Sequence, residues 1–321
     1  MKRTTVPFNT KVRIAPAAHQ AHHLVYQEKT SISGDMLSVT EHRGVRSLLL
    51  GTGTQTQIAI TASGETMPFL FEEWTQSVAA CAFAWLAAGD WHDFSPCALL
   101  LGGGGAVLAR VLRLRIPVHI VEIEPEVLQV AQSHFDLVLN DTCTAEVLDA
   151  VAFVEREARQ QARREELQTE QACNEHEHFG SPHAPVQRFS IAIVDCFTAD
   201  GVASVVTDAT SSLFRRLSEI IAPAGLLIVN LHAAHMPAHE PAHEPAERAV
   251  MSHIATHFAC VYALASRSCR NVIALCHQGD KRCSDEWRAM LEAAWSDGVG
   301  TVCPDLSAER IVEQLECVFP P

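Results

Sequence analysis

Four consecutive glycines, Gly102 to Gly105, separate the apolar run ending at Leu101 from AVLARVLRL, a stretch of helical spacing. Glycines at such a junction let the backbone turn tightly and come close to a ligand that a Cβ would exclude. Glu122 ends the next apolar run, VHIVE, twenty residues after Gly102. A carboxylate there can accept hydrogen bonds from both hydroxyls of a ribose. Asp149 follows a third run, in VLDAVAF, where an acid followed by the small Ala150 suits an adenine amino group and ring. Asp195 ends a fourth, in AIVDCFTADGV.

Acids at successive strand ends face the carboxyl edge of a parallel sheet, where doubly wound folds bind ligands. Two ligand classes fit such an edge. The glycines contain GxG, but Val107 stands where the third glycine of a dinucleotide GxGxxG would fall. A helix N-terminus offers donors to a pyrophosphate or to a carboxylate. A sulfonium cation, or an amine beside it, accounts for so acidic a rim better than a pyrophosphate does. An NAD-dependent oxidoreductase is therefore the weakest enzyme reading.

The elements that must hold these residues read as strand–helix alternation from Cys97 onward: ALLL, AVLARVLRL, VHIVEIE, PEVLQVAQSHF, AEVLDAVAFV, FSIAIVD, SSLFRRLSEIIAP, GLLIVNLH. Continuously apolar strands are expected where helices cover both faces, and the alternation implies an α/β, doubly wound, mostly parallel sheet. Residues 24–67 read as a small N-terminal antiparallel β-unit of short runs separated by Gly-bearing turns, after a loose tail over 1–23. Residues 68–88 read as a buried helix with Pro68 in its first turn. The main domain would span 68–321, with low-complexity insertions at 155–188 and 233–247. The first half of 155–188 suits a solvated helix, whereas a proline every fourth residue in the PAHE repeat forbids one. NVIALCH adds a strand, and helices follow at about 284–296 and 305–316.

Composition bounds the rest. The chain has 321 residues, 48% hydrophobic and 19% charged, which is globular. Its formal charge of −14 argues against phosphate-driven nucleic-acid binding and against an anionic membrane as partner. No apolar run reaches the roughly 18 residues of a spanning helix. The N-terminal basic residues have no apolar stretch behind them, so a cytoplasmic location is expected. Eleven cysteines without a CxxC pair suit reduced, buried thiols. His235, His239 and His243, and the run Glu175 to His178, carry metal-ligand types, but neither stretch has a fixed second half of a site, so no metal is expected.

The chain resembles the spermidine synthase-like branch of the class I, Rossmann-type methyltransferase superfamily, over about residues 25–278. The resemblance is carried by VRSLLLGTGTQ, LLLGGGGAVLARVL, VHIVEIEPEVLQVAQSHF, VLDAVAFV, FSIAIVDCFTADGV, IIAPAGLLIVNL and RNVIAL, in that order. It looks closest to the synthase-like domain of methyltransferases that modify translation elongation factor 1-alpha. The resemblance implies S-adenosylmethionine as cofactor, held by Gly102, Gly103 and Gly104. Gln55 would reach it from the β-unit, Glu122 would hold the ribose, and Asp149 with Ala150 the adenine. Asp195 would lie beside the methionine part and the reacting centre, as the catalytic residue. A protein amine as acceptor and a homodimer are further implications.

Departures from the family pattern divide its activities. Polyamine-making members carry an Asp inside the glycine loop that pairs with the amine of decarboxylated adenosylmethionine; here that position is Gly105. Their Asp-x-x-Asp-Pro run is DCFTADG here, with Asp200 displaced and no proline. A Tyr usual at the start of the first helix is Trp74. Methyl transfer from intact S-adenosylmethionine is thus the first expectation. Aminopropyl transfer is the second, and an inactive scaffold of the same fold the third.

Overall fold

The computed structural model describes residues 22–51, 53–67, 69–89, 91, 95–174, 188–196, 210–232, 245–266 and 271–319. Four N-terminal strands, β1 (His23–Lys29), β2 (Met36–His42), β3 (Val45–Leu50) and β4 (Gly53–Ala59), form an antiparallel sheet in sequence order. Gly44, at φ +77°, makes the turn between β2 and β3.

The chain then enters α1 (Glu73–Ala88), whose Ala-rich sequence is buried on nearly every side, from Glu73 to Trp85. Pro68 lies outside the described residues, and α1 begins at Glu73 rather than in the turn containing that proline. The residues between have no regular secondary structure, and the Leu70 amide donates to the Val302 carbonyl at 2.9 Å.

The alternation follows: β5 (Ala98–Leu101), α2 (Val107–Leu112), β6 (Val118–Glu122), α3 (Pro125–His134), β7 (Cys143–Val147), α4 (Ala150–Asn174), β8 (Phe189–Val194), α5 (Thr210–Ile220) and β9 (Ile221–His232). α3 opens on Pro125, whose missing N–H costs nothing in a first turn. The last elements are α6 (Pro245–Ile254), β10 (Cys260–Ala265), β11 (Asn271–His277), α7 (Ser284–Ser296), α8 (Ala308–Gln314) and β12 (Leu315–Phe319).

The eight-stranded sheet has the order β12-β10-β11-β9-β8-β5-β6-β7. β9, β8, β5, β6 and β7 are mutually parallel, and β11, β10 and β12 extend them antiparallel. Alternate residues of each strand feed two cores. Leu100, Ile120, Ile193 and Ile228 pack with α1, α2, α3 and α7, while Leu99, Val121, Ala192 and Leu227 pack with α4, α5 and α6. Leu37, Val39 and Leu48 of the small sheet join the first core. Glu124, 2% exposed, links the two sheets: its carboxylate accepts from the amides of Ser33 at 2.6 Å and Ile32 at 3.1 Å.

Three boundaries differ from the sequence expectations. α6 begins at Pro245, inside the segment expected to be helix-free, because a proline at the first helical position is harmless. β10 and β12 are strands the periodicity does not reveal, and the helix expected over 305–316 gives way to β12 at Leu315. The PAHE repeat, Glu175 to His178 and Asp200 lie outside the described residues. Cys81, Cys97, Cys143, Cys260, Cys276 and Cys303 are buried free thiols. No helix among the described residues is long and apolar enough to cross a membrane.

Candidate functional site

The ends of β8, β5, β6 and β7 lie side by side. The Asp195 amide donates to the Leu101 carbonyl at 2.8 Å, the Gly102 amide to Val121 at 2.9 Å, and the Leu148 amide to Glu122 at 3.1 Å. The acids read from the sequence are thereby gathered at one edge. Gly102, at φ +89°, has no room for a side chain: a Cβ would lie 2.2 Å from the Asp195 carbonyl oxygen. The glycine run thus turns directly against the end of β8.

Glu122 folds back onto that loop. Its Oε2 accepts from the amides of Gly103 at 2.7 Å and Gly104 at 3.3 Å, and its Oε1 from the Glu124 amide at 3.1 Å. Burial pushes the Glu122 carboxyl above its ordinary range, and these amides oppose the shift.

Asp195 lies at the end of β8, partly buried. Burial raises its carboxyl to about 7, with Glu122 adding to the rise, while a hydrogen bond from Asn230 Nδ2 at 2.9 Å pulls it down. Glu72, the residue before α1, is also raised to about 7, by burial first and by Asp195 among its neighbours. The Gln57 amide donates to its Oε2 at 3.2 Å. Cys196 sits among Glu122, Asp195 and Asp149, and burial together with those charges holds its thiol well above the usual range.

Asp149 and Ala150 stand at the outer rim. Asp149 is exposed and caps α4, its Oδ1 accepting from the Ala152 amide at 3.0 Å, with Ala150 buried beneath. Ile123, 42% exposed beside Glu122, offers an apolar face at the same rim. Gln55 is the extra residue of a bulge where β4 shifts register against β3, and its carbonyl oxygen lies over Gly104. The neighbouring Thr56 makes the side-chain contact with the loop, its Oγ1 accepting from the Gly105 amide at 2.8 Å. A small cavity opens between the loop and α1, lined by Thr56, Trp74, Gly102, Gly103 and Asp195.

The edge suits a cation and a sugar. It offers three carboxylates at strand ends, a fourth from Glu72, and a loop cradle that excludes side chains. Among the described residues, no group of three His, Cys, Asp or Glu is placed to hold a metal ion.

Among solved structures, the chain superposes on a probable spermidine synthase from Corynebacterium glutamicum ATCC 13032. The TM-score is 0.57 at 14% identity, covering 85% of this chain and 86% of that one. Human methyltransferase-like protein 13 in complex with SAH gives a TM-score of 0.51 at 16% identity, covering 70% of this chain and 92% of that one. The chain has a Rossmann-type methyltransferase fold. A spermidine synthase in complex with the transition-state analogue AdoDATO superposes on the same fold with a TM-score of 0.52 at 12% identity, covering 88% of each chain. No protein-family model and no curated protein sequence matches.

Within this methyltransferase fold, Gly102 to Gly104, Glu122 and Asp195 come together, Asp149 and Ala150 border them, and Gln55 reaches the loop through its backbone. Sequence reasoning missed Thr56, Glu72, Cys196 and Asn230. Asn230 carried a readable signal, a polar residue inside the apolar strand GLLIVNL; Thr56 carried none, being one of several polar residues in GTGTQTQ.

Proposed function

We propose that the chain is an S-adenosylmethionine-dependent methyltransferase whose acceptor is an amine, carried on a protein as in the elongation factor methyltransferases it resembles. The observation that carries the choice of ligand is at Gly105. A Cβ there would lie 2.8 Å from Thr56 Cγ2 and 3.1 Å from Phe135 Cδ1. The loop has no space for the aspartate with which polyamine-making members hold a decarboxylated ligand. Nothing at that position would repel a carboxylate, so the intact amino acid end is accepted.

When bound, S-adenosylmethionine supplies a methyl group activated by its sulfonium. Glu122 would hold the ribose hydroxyls, Asp149 with Ala150 the adenine, and the glycine loop would let the ligand approach the backbone. Asp195 orients the acceptor nitrogen and takes its proton. A carboxyl that titrates near 7 has the balance of basicity and availability that this role needs at neutral pH. Trp74, 6% exposed, walls the acceptor side and excludes water.

Aminopropyl transfer is the second reading, favoured by the even coverage of whole spermidine synthase chains. Incubating the protein with methyl-labelled S-adenosylmethionine and cell extract tests the proposal. Label on a macromolecule, lost with Asp195→Asn, supports it. Label that is unchanged by Asp195→Asn contradicts the role of Asp195, and no transfer to any species contradicts the activity.

A further inference from the structure

Two asparagines stand in line behind Asp195. Asn271 Nδ2 donates to Asn230 Oδ1 at 3.0 Å, and Asn230 Nδ2 donates to Asp195 Oδ1 at 2.9 Å. They are 7% and 3% exposed. The line crosses neighbouring strands, since β9 pairs with β8 on one side and with β11 on the other. Its direction is forced. Asn230 must turn its NH2 toward the carboxylate, because its carbonyl would set oxygen against oxygen, and Asn271 holds that carbonyl on the far side.

We propose that Asn230 and Asn271 form a positioning relay that fixes one oxygen of Asp195, leaves the other for the acceptor, and favours the ionised carboxylate. The proposal rests on reading Asp195 as the acid at the reacting centre. The surroundings otherwise oppose ionisation: burial first, then Glu122, which faces Asp195 from the end of β6, with the Glu72 acid at the start of α1 and the neutral Cys196 thiol beside it. The Asn230 amide is the side-chain donor that counters them. Asn271 acts one step removed, by preventing Asn230 from flipping and by polarising its amide. Neither asparagine touches the proposed reactants, so both are positioning residues.

Carbon-13 NMR titration of aspartate carboxyls in the full chain tests this, with the Asp195 signal assigned by its loss in Asp195→Asn. Asn230→Ala is expected to raise the Asp195 midpoint by about one pH unit, the scale of one lost hydrogen bond to a charged group. Asn271→Ala is expected to raise it by a smaller, measurable amount. A merely structural role would lower the melting temperature and leave the midpoint in place, so unchanged midpoints in folded variants overturn the relay. If Asn230→Ala does not fold, the Asn271→Ala titration alone decides. Calorimetry with adenosylhomocysteine on the same samples keeps the two ideas apart: a wild-type protein that does not bind it defeats the cofactor reading, while the carboxyl titration still judges the relay.

Discussion

At the scale of single residues, Asp195 and Gly102 constrain each other. Asp195 is a partly buried acid raised to about 7, so its folded-state pKa lies above the unfolded value near 3.9. Burial therefore favours the protonated acid, and the fold loses stability as pH rises from about 4 to about 7, above which the loss is complete. Asp195→Asn keeps an acceptor for Asn230 and removes the charge. It is expected to raise the melting temperature at pH 8 by a few degrees, roughly 2–6 °C, and to change it little at pH 4, while abolishing turnover. A calorimetric scan at both pH values checks this, and equal shifts at the two would contradict it. Gly102→Ala must fit a methyl group 2.2 Å from the Asp195 carbonyl at φ +89°, which costs at least about 2 kcal/mol and displaces the loop. Urea denaturation should show the loss together with abolished adenosylhomocysteine binding. The glycines and the three strand-end acids were legible in the sequence, because backbone freedom and charge at strand ends leave marks on residue type. Thr56 and Glu72 were not, because their roles come from the packing of β4 and α1 against the loop, which no local pattern encodes.

Among the elements, α1 and β11 connect the site to the rest of the molecule. Glu73, at the first turn of α1 and 9% exposed, accepts from Arg310 Nη2 of α8 at 2.8 Å. Arg310→Ala leaves a buried carboxylate without this cation and is expected to cost about 1–3 kcal/mol in urea unfolding, the lower part of the range reflecting the partial exposure of Arg310. β11 ends on His277, 1% exposed, with ring centroids 4.8 Å from Trp85 and 5.8 Å from Tyr262. Neither of its ring nitrogens has a hydrogen-bond partner among the described residues. Burial first, and Arg282 next, depress its pKa to about 4. The folded value lies below the unfolded one near 6.5, so the neutral ring's stabilisation is complete above about 6.5 and is lost as pH falls toward 4. Between pH 7 and 5 the wild type should lose about 2 kcal/mol more than His277→Leu does, measured by urea unfolding at the two pH values. Parallel slopes would contradict it. The parallel half of the sheet was legible from its apolar runs alternating with helices. The antiparallel extension was only partly so. β10 is a six-residue apolar run that periodicity cannot tell from a helix fragment, and β12 follows α8 without any punctuating residue.

At the scale of the whole molecule, a four-stranded sheet and an eight-stranded sheet share one core, and Glu124 ties the first to the strand end that carries Glu122. The candidate site is therefore built jointly: Thr56 and Gln55 come from the small sheet, and the glycines and acids from the large one. The net charge of −14 fits this arrangement, since a cationic ligand or acceptor is drawn to such a molecule while a polyanion is repelled. A probable spermidine synthase and a methyltransferase-like protein share this fold, so on the proposed function the small differences at the loop decide between the two chemistries. On the proposed function, the loop accepts the intact amino acid end of the ligand because Gly105 has neither an acid nor room for one. Isothermal titration of the full chain with S-adenosylmethionine and with its decarboxylated form tests this most directly. The account predicts that S-adenosylmethionine binds at least about tenfold tighter, a difference of roughly 1.4 kcal/mol. Tighter binding of the decarboxylated form, or no binding of either, would contradict it.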